Sequence, residues 1–141
     1  MKIKIPIEIL EFEEGYHILV EAKINNKKLK MVLDTGASKT VFDFNTINKF
    51  IKKVDYKLND FLSVGIGTNT LESYIFEIPK LSFGRMKLDN FETVLIDMSM
   101  ISESYSKFGL PEVNGILGSD IMVENNAILD IKNKILLLDS N

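Results

Sequence analysis

The run Met31-Val32-Leu33-Asp34-Thr35-Gly36-Ala37-Ser38 sets an ionisable carboxylate directly behind an apolar segment. A carboxylate in such a place is costly unless something specific surrounds it, because loss of water disfavours the charged form. The neighbours supply those surroundings. Thr35 brings a hydroxyl beside the acid, and Gly36 lets backbone amides approach a carboxylate oxygen with no side chain between them. Other chemistry is scarce. The chain has no cysteine, which excludes disulfide scaffolds, thiolate nucleophiles, iron–sulfur clusters and cysteine-held zinc. His17 is the only histidine, so a Ser-His-Asp triad would have to be built around it, and a multi-histidine metal site within one chain is impossible. Catalysis falls to carboxylates, lysines or hydroxyls.

The elements that must position Asp34 follow from composition and periodicity. A chain of 141 residues, 45% hydrophobic and 26% charged, matches one ordinary domain over residues 1–141. At this length folding buries roughly two thirds of the unfolded surface, enough for a core without covalent staples. Ile3, Ile5, Ile7 and Ile9 alternate with polar residues and predict a half-buried strand. The run from His17 to Ile24, the pair Asn25-Asn26 and the run from Leu29 to Leu33 predict a hairpin whose turn residues tolerate positive φ. That hairpin delivers Asp34 to the end of a strand. Ile47, Phe50, Ile51 and Val54 have helical spacing, so a short helix is expected over Asn45–Val54 behind a cap at Asp43 or Asn45. Strand segments Phe61–Ile66 and Leu71–Ile78 flank the glycine-bearing stretch Gly65-Ile66-Gly67-Thr68-Asn69, a hairpin with a pliable tip. Leu81–Phe83 and Phe91–Ile96 continue the β pattern, and Met98–Pro111 is mixed, an irregular or partly helical connection. Gly115-Ile116-Leu117 is a small apolar strand ending at Gly118, after which Ser119 or Asp120 can cap a brief helix through Val123. Ala127–Ile131 and Ile135–Leu138 form a last hairpin. The sum is a mostly β chain, a closed or partly closed barrel with one or two small helices.

Asp-Thr-Gly alone is weak evidence, since strand-ending turns favour Asp and Gly. Combined with Ile116-Leu117-Gly118 further along, the segment Leu33-Asp34-Thr35-Gly36-Ala37-Ser38 resembles the retropepsin-like aspartic proteases, in their bacterial single-domain form, over nearly the whole chain. The resemblance implies a closed six-stranded acid-protease barrel. In it the Asp-Thr-Gly loop meets an apolar-apolar-Gly strand that buttresses it, and a hairpin flap closes over the substrate. Gly65, Ile66 and Gly67 fall where that flap belongs. The implied catalytic residues are Asp34, Thr35 and Gly36, with Ala37, Ser38, the flap residues and Ile116, Leu117 and Gly118 forming or supporting the peptide site. Because the chain holds one such motif, the resemblance implies a homodimer whose two-fold axis passes between two Asp34 side chains. Carboxylates held that close share a proton. One Asp34 would act as base toward a water attacking the peptide carbonyl, its protonated twin would donate to the carbonyl oxygen, and neither metal nor organic cofactor is needed. Thr35 would hydrogen-bond across the axis. Ala37 stands where some aspartic proteases carry a hydroxyl that bonds the catalytic carboxylate, so activity is expected at mildly acidic to near-neutral pH.

The pattern also departs from the viral members. Their acidic residue after the motif and their Arg after the buttress support the dimer, whereas here the positions read Ser38, Lys39 and Ser119-Asp120. Lys39 with Asp120 offers a reversed version of that pair, and the stretch Leu88–Asn114 is longer than in the compact viral enzymes. A net charge of -3 and a sole arginine, Arg85, argue against nucleic-acid partners. No apolar stretch is long enough to span a bilayer, and Met1–Glu8 reads as a cytoplasmic start. His17 reads as a strand residue with a satisfied or solvated ring, Glu11, Glu13 and Glu14 as a solvated turn, and Lys27, Lys28 and Lys30 as a wet strand edge. Beside the protease stand two other function classes: a catalytically silent peptide-binding or dimerisation module on the same barrel, and a sensor for peptides or small molecules using the same cleft.

Overall fold

Alternating isoleucines build the first strand of the computed structural model. In β1 (Lys2–Phe12), Ile3, Ile5 and Ile7 are buried while Lys2, Lys4 and Pro6 face out. The structure describes residues 1–52, the backbone of 57–58, and residues 72–139; Gly65, Ile66 and Gly67 and the strand expected over Phe61–Ile66 lie outside these. β1 turns into β2 (Gly15–Ile24), and β2 into β3 (Lys27–Leu33), through two-residue turns. Asn25 and Asn26 adopt φ of 50° and 66°, the left-handed pair that matches strand twist in a tight hairpin. Glu13 and Glu14 adopt the same region without an asparagine's tolerance for it.

Six strands close the barrel. In order they are β6 (Tyr74–Phe83), β7 (Met86–Ile96), β4 (Val41–Asp43), β8 (Gly115–Leu117), β3 and β2, and pairing of Lys23 with Ser82 and Ile24 with Leu81 shuts the ring. β5 (Lys57–Leu58) pairs with the start of β6. On the other side, β1 divides its length: Ile7–Phe12 pair with β2, and Lys2–Pro6 leave the barrel to pair with β10 (Ile135–Asp139), beyond which lies β9 (Ile128–Asp130). The expected mostly β, closed six-stranded barrel with few short helices is the observed architecture. Its interior is filled by fully buried Ile24, Phe42, Ile78, Phe83, Leu95 and Leu117, and Ile47 of α1 (Phe44–Phe50) joins them.

Several local expectations need correction. α1 stops at Phe50 because Ile51 is already extended, at φ -125° and ψ 122°. Pro79 lies inside one continuous strand instead of separating two: the register runs from Ile78↔Phe91 to Lys80↔Asp89 and skips Pro79 opposite Asn90, whose φ is 54°, so the missing N–H costs no ladder bond. Of the two alternatives for Met98–Pro111, the partly helical one is observed: α2 (Ser99–Lys107) lies over a second apolar cluster of Phe12, Leu19, Met98, Tyr105 and Val113. There His17 Nδ1 lies 2.7 Å from Tyr105 Oη, which satisfies the ring, and burial pushes the Tyr105 hydroxyl above its ordinary pKa. α3 (Ser119–Glu124) has Gly118 at its N-cap with no side-chain cap, in place of Ser119 or Asp120. β3 is an interior strand between β2 and β8 and not an edge, although Lys27 and Lys28 are exposed as expected; Lys30 Nζ lies 2.9 Å from Glu8, and Lys27 Nζ donates to the Phe50 carbonyl.

Asp43 is the cap that the helix requires. One carboxylate oxygen accepts from Thr46 N at 3.0 Å and Thr46 Oγ1 at 2.7 Å, the other from Met98 N at 2.9 Å, so one acid joins β4, α1 and the approach to α2. Asp43→Ala leaves those buried donors unpaired and is expected to lower stability by about 2–3 kcal/mol in urea unfolding, with Asp43→Asn recovering part of the loss.

Candidate active site

β3 ends at Leu33 and β4 begins at Val41, yet the two do not pair with each other. β8 lies between them, parallel to β3 through Met31↔Gly115, Val32↔Ile116 and Leu33↔Leu117, and antiparallel to β4 through Val41↔Ile116 and Phe42↔Gly115. Residues 34–40 must therefore step across the end of β8, two strand spacings or about 10 Å. That bridge carries Asp34, Thr35, Gly36, Ala37 and Ser38.

Its crossing dictates what lies beneath. A Cβ at Gly118 would sit 2.7 Å from the Lys39 carbonyl carbon and 2.9 Å from the Ala37 carbonyl oxygen, both backbone atoms, so no side chain fits. Three hydrogen bonds then pin the bridge to the strand it crosses. Asp34 N donates to the Leu117 carbonyl at 3.0 Å, Ser119 N to the Ala37 carbonyl at 2.8 Å, and Gly118 N to Thr40 Oγ1 at 3.0 Å. Leu117 and Gly118 are buried and Ile116 is half-buried. They support the bridge from below.

The acid itself faces outward. Asp34, Thr35, Gly36 and Ser38 are exposed and Ala37 is half-buried. Gly36 N donates to Asp34 Oδ1 at 2.9 Å, the amide approach that the glycine permits, and Ala37 N donates to the Asp34 carbonyl at 3.1 Å to close the turn. Gly65, Ile66 and Gly67 lie outside the described residues, so no position is assigned to them.

The far foot of the bridge rests on residues that periodicity did not single out. Asp120 accepts from Thr40 N with both oxygens at 3.0 Å, from Thr40 Oγ1 at 2.7 Å and from Ile121 N at 2.8 Å. Thr93 Oγ1 donates to the Thr40 carbonyl at 2.8 Å, so buried Thr40 has partners for its N–H, carbonyl and hydroxyl. The expected Lys39–Asp120 pair is not formed. Thr40 offers fixed, buried donors, whereas the exposed Lys39 ammonium keeps its water at little cost. The signal available in the sequence was a threonine at the entry of an apolar strand, Thr40-Val41-Phe42, with an acid just past Leu117-Gly118.

A groove of about 420 Å³ runs beside the bridge, lined by Thr35, Ser119, Met122, Val123, Ala127 and Leu129 among others. A smaller hollow of about 280 Å³ between Ile5, Val20, Lys30 and Gly84 includes no bridge residue. Among the described residues, no group of three or more His, Asp or Glu side chains is placed to hold a metal ion, and no helix is long and apolar enough to cross a membrane.

The same fold recurs in solved proteins. The chain is similar to a retropepsin-like aspartic protease from Rickettsia conorii, at 18% identity and TM-score 0.54 over 98% of this chain and 89% of that one. It is similar to the retroviral protease-like domain of Ddi1 from Leishmania major, at 19% identity and TM-score 0.56 over 87% of this chain and 88% of that one. It is also similar to the EIAV protease in complex with the inhibitor HBY-793, at 18% identity and TM-score 0.55 over 81% of this chain and 92% of that one. At these identities the likeness is one of fold. No curated protein sequence matches the chain significantly. The sequence profile described as aspartyl protease matches residues 20–121, which span the bridge, the buttress strand and the start of α3 and make up well over half of the chain. By that match, and by the retropepsin-like barrel that carries the Asp34 bridge, the chain belongs to the aspartyl protease family.

Proposed function

We propose that this protein, as one domain over residues 1–141, is an aspartic endopeptidase whose active centre forms across a homodimer, each copy supplying Asp34. The observation that carries this reading is an exposed carboxylate on a bridge held by backbone hydrogen bonds at Asp34 and Ala37 and, at its far foot, by the Asp120 and Thr93 side chains on Thr40. A carboxylate that only needed neutralising would be paired or solvated on a mobile loop, and here the surrounding backbone fixes it instead. One Asp34 is half of a general acid–base pair. A second copy brings the other half, the two share a proton, and water held between them attacks the peptide carbonyl as one acid accepts its proton and the other donates to the carbonyl oxygen. The water is the nucleophile, so the chain's own residues suffice.

Thr35 lies beside the groove at the edge of the bridge, where a hydroxyl can hold two bridges in register. Gly65, Ile66 and Gly67 are assigned to the flap on the sequence resemblance alone, with peptide backbone as their ligand. Ala37 and Ser38 are assigned to the peptide site on the sequence resemblance, with Ile116, Leu117 and Gly118 supporting the bridge from below. A cytoplasmic location is part of this proposal.

Three outcomes test this reading. Asp34→Asn keeps the size and exposure of the side chain, so the fold should persist by circular dichroism while new termini generated from a diverse peptide pool fall by about 10³-fold or more; equal profiles for the two proteins would leave the silent module. Asp120→Ala removes the acceptor under Thr40 and should cost about 2–3 kcal/mol of stability together with a loss in kcat of about tenfold at similar KM, and Asp120→Asn, which keeps one acceptor oxygen, should restore part of both. The missing hydroxyl at Ala37 predicts a pH–rate profile with substantial activity between mildly acidic and near-neutral pH; activity confined to strong acid would contradict the role given to Ala37.

A further inference from the structure

The fold sets His17, the only histidine of the chain, one strand away from Asp34. β2 and β3 pair as far as Leu19↔Val32, and the same register carried two residues further brings His17 opposite Asp34. Leu33 is buried in the core, so the strand period of two puts Val32 and Asp34 on the outer face of β3, with Leu19 and His17 on that face of β2. β8 extends the face, because Ile116 pairs with Val32. Leu19, Val32 and Ile116 thus form an apolar row leading up to the acid, and Tyr105 of α2 and Leu110 belong to the same cluster. The row is not sealed: Leu19 and Tyr105 are buried, whereas Val32, Leu110 and Ile116 are half-buried.

The His17 ring is held in one orientation. Phe12 meets it edge-on at 5.3 Å between centroids, and Nδ1 lies 2.7 Å from Tyr105 Oη. Among the described residues Tyr105 Oη has no other partner, so its hydrogen has Nδ1 as acceptor, and burial favours the protonated phenol. A neutral imidazole that accepts at Nδ1 carries its own hydrogen on Nε2. That second nitrogen has no hydrogen-bond partner among the described residues. Building on the reading that a peptide is cleaved at Asp34, we propose that His17 is a specificity residue of the peptide site: its Nε2–H donates to the side-chain carbonyl oxygen of a substrate glutamine whose stem lies on the apolar row. The row asks for an aliphatic stem, and the fixed donor asks for an acceptor at its tip. Glutamate would bring a carboxylate beside an Asp34 pair that, sharing one proton, still carries negative charge. Methionine matches the stem but offers only a weak sulfur acceptor.

A single histidine makes the test direct, because nitrogen-labelled histidine reports His17 alone in NMR. In the free wild type above the ordinary histidine pKa, Nε2 should be the protonated nitrogen and Nδ1 the bare one; the opposite tautomer overturns the assignment. Peptides identical except for Gln, Glu or Met at one position are then added to Asp34→Asn, and the Gln peptides should shift the Nε2 signal most. In cleavage by the wild type, kcat/KM for Gln at a position flanking the cut should exceed that for Met and for Glu by about fivefold or more. The double variant His17→Phe with Tyr105→Phe keeps both rings and leaves no buried hydroxyl unpaired, and it should erase that ratio, whereas His17→Gln, which restores an N–H donor, should recover part of it. Tyr105→Phe alone releases the ring and should raise KM for the Gln peptide at similar kcat. A double variant that slows all three peptides alike, with the ratio intact, shows a structural role and overturns the assignment. Cleavage by the wild type with neither a Gln preference nor an Nε2 shift overturns it while the enzyme stands. An Nε2 shift with Gln peptides in a protein that cleaves none supports the His17 site and overturns the enzyme.

Discussion

The passage of residues 34–40 over the end of β8 is the constraint from which the rest of the site follows. A strand lies between β3 and β4, so the chain joining them cannot turn tightly and must cross it. The crossing brings backbone within contact of Gly118, forbids a side chain there, and offers the backbone at the C-terminal end of β8 as hydrogen-bond partners. What would be a wandering loop becomes a rigid support for one carboxylate. Catalytic groups gain most from such pre-set geometry, because nothing must be ordered when substrate arrives.

Three acids near this bridge divide their work by what surrounds them. Asp43 and Asp120 are turned into the protein, where each accepts from backbone amides and a threonine hydroxyl and joins segments distant in sequence. Asp34 is turned out, and among the described residues its side chain accepts only from Gly36 N. The buried polar groups beneath the bridge are satisfied, with no orphaned side-chain donor or acceptor among the described residues. The inner acids hold the frame so that the outer one is left with spare capacity for a ligand or a second carboxylate.

Legibility followed the range of the forces involved. The isoleucine alternation of β1, the Asn25-Asn26 turn and the placement of Asp34 at a strand end are local, and the structure matches them. Boundaries set by distant partners were misread. The end of α1, the continuity of β6 through Pro79 and the interior position of the lysine-bearing β3 all depend on which strand or cluster lies alongside. Thr40 escaped notice for the same reason: its partners Thr93, Gly118 and Asp120 are far away along the chain.

The sequence by itself determined the chemistry on offer, since residue types decide which groups can accept or donate a proton: one motif with Asp34, no cysteine and a single histidine. It also determined the β character, through periods of two residues read within a single strand. Only the tertiary structure decided that β8 enters between β3 and β4, that Asp120 holds Thr40 and not Lys39, and that β9 lies outermost in the sheet among the described residues. Those outcomes are contacts between segments far apart in the chain, and they exist only when the whole barrel closes and each polar group must find its partner at once.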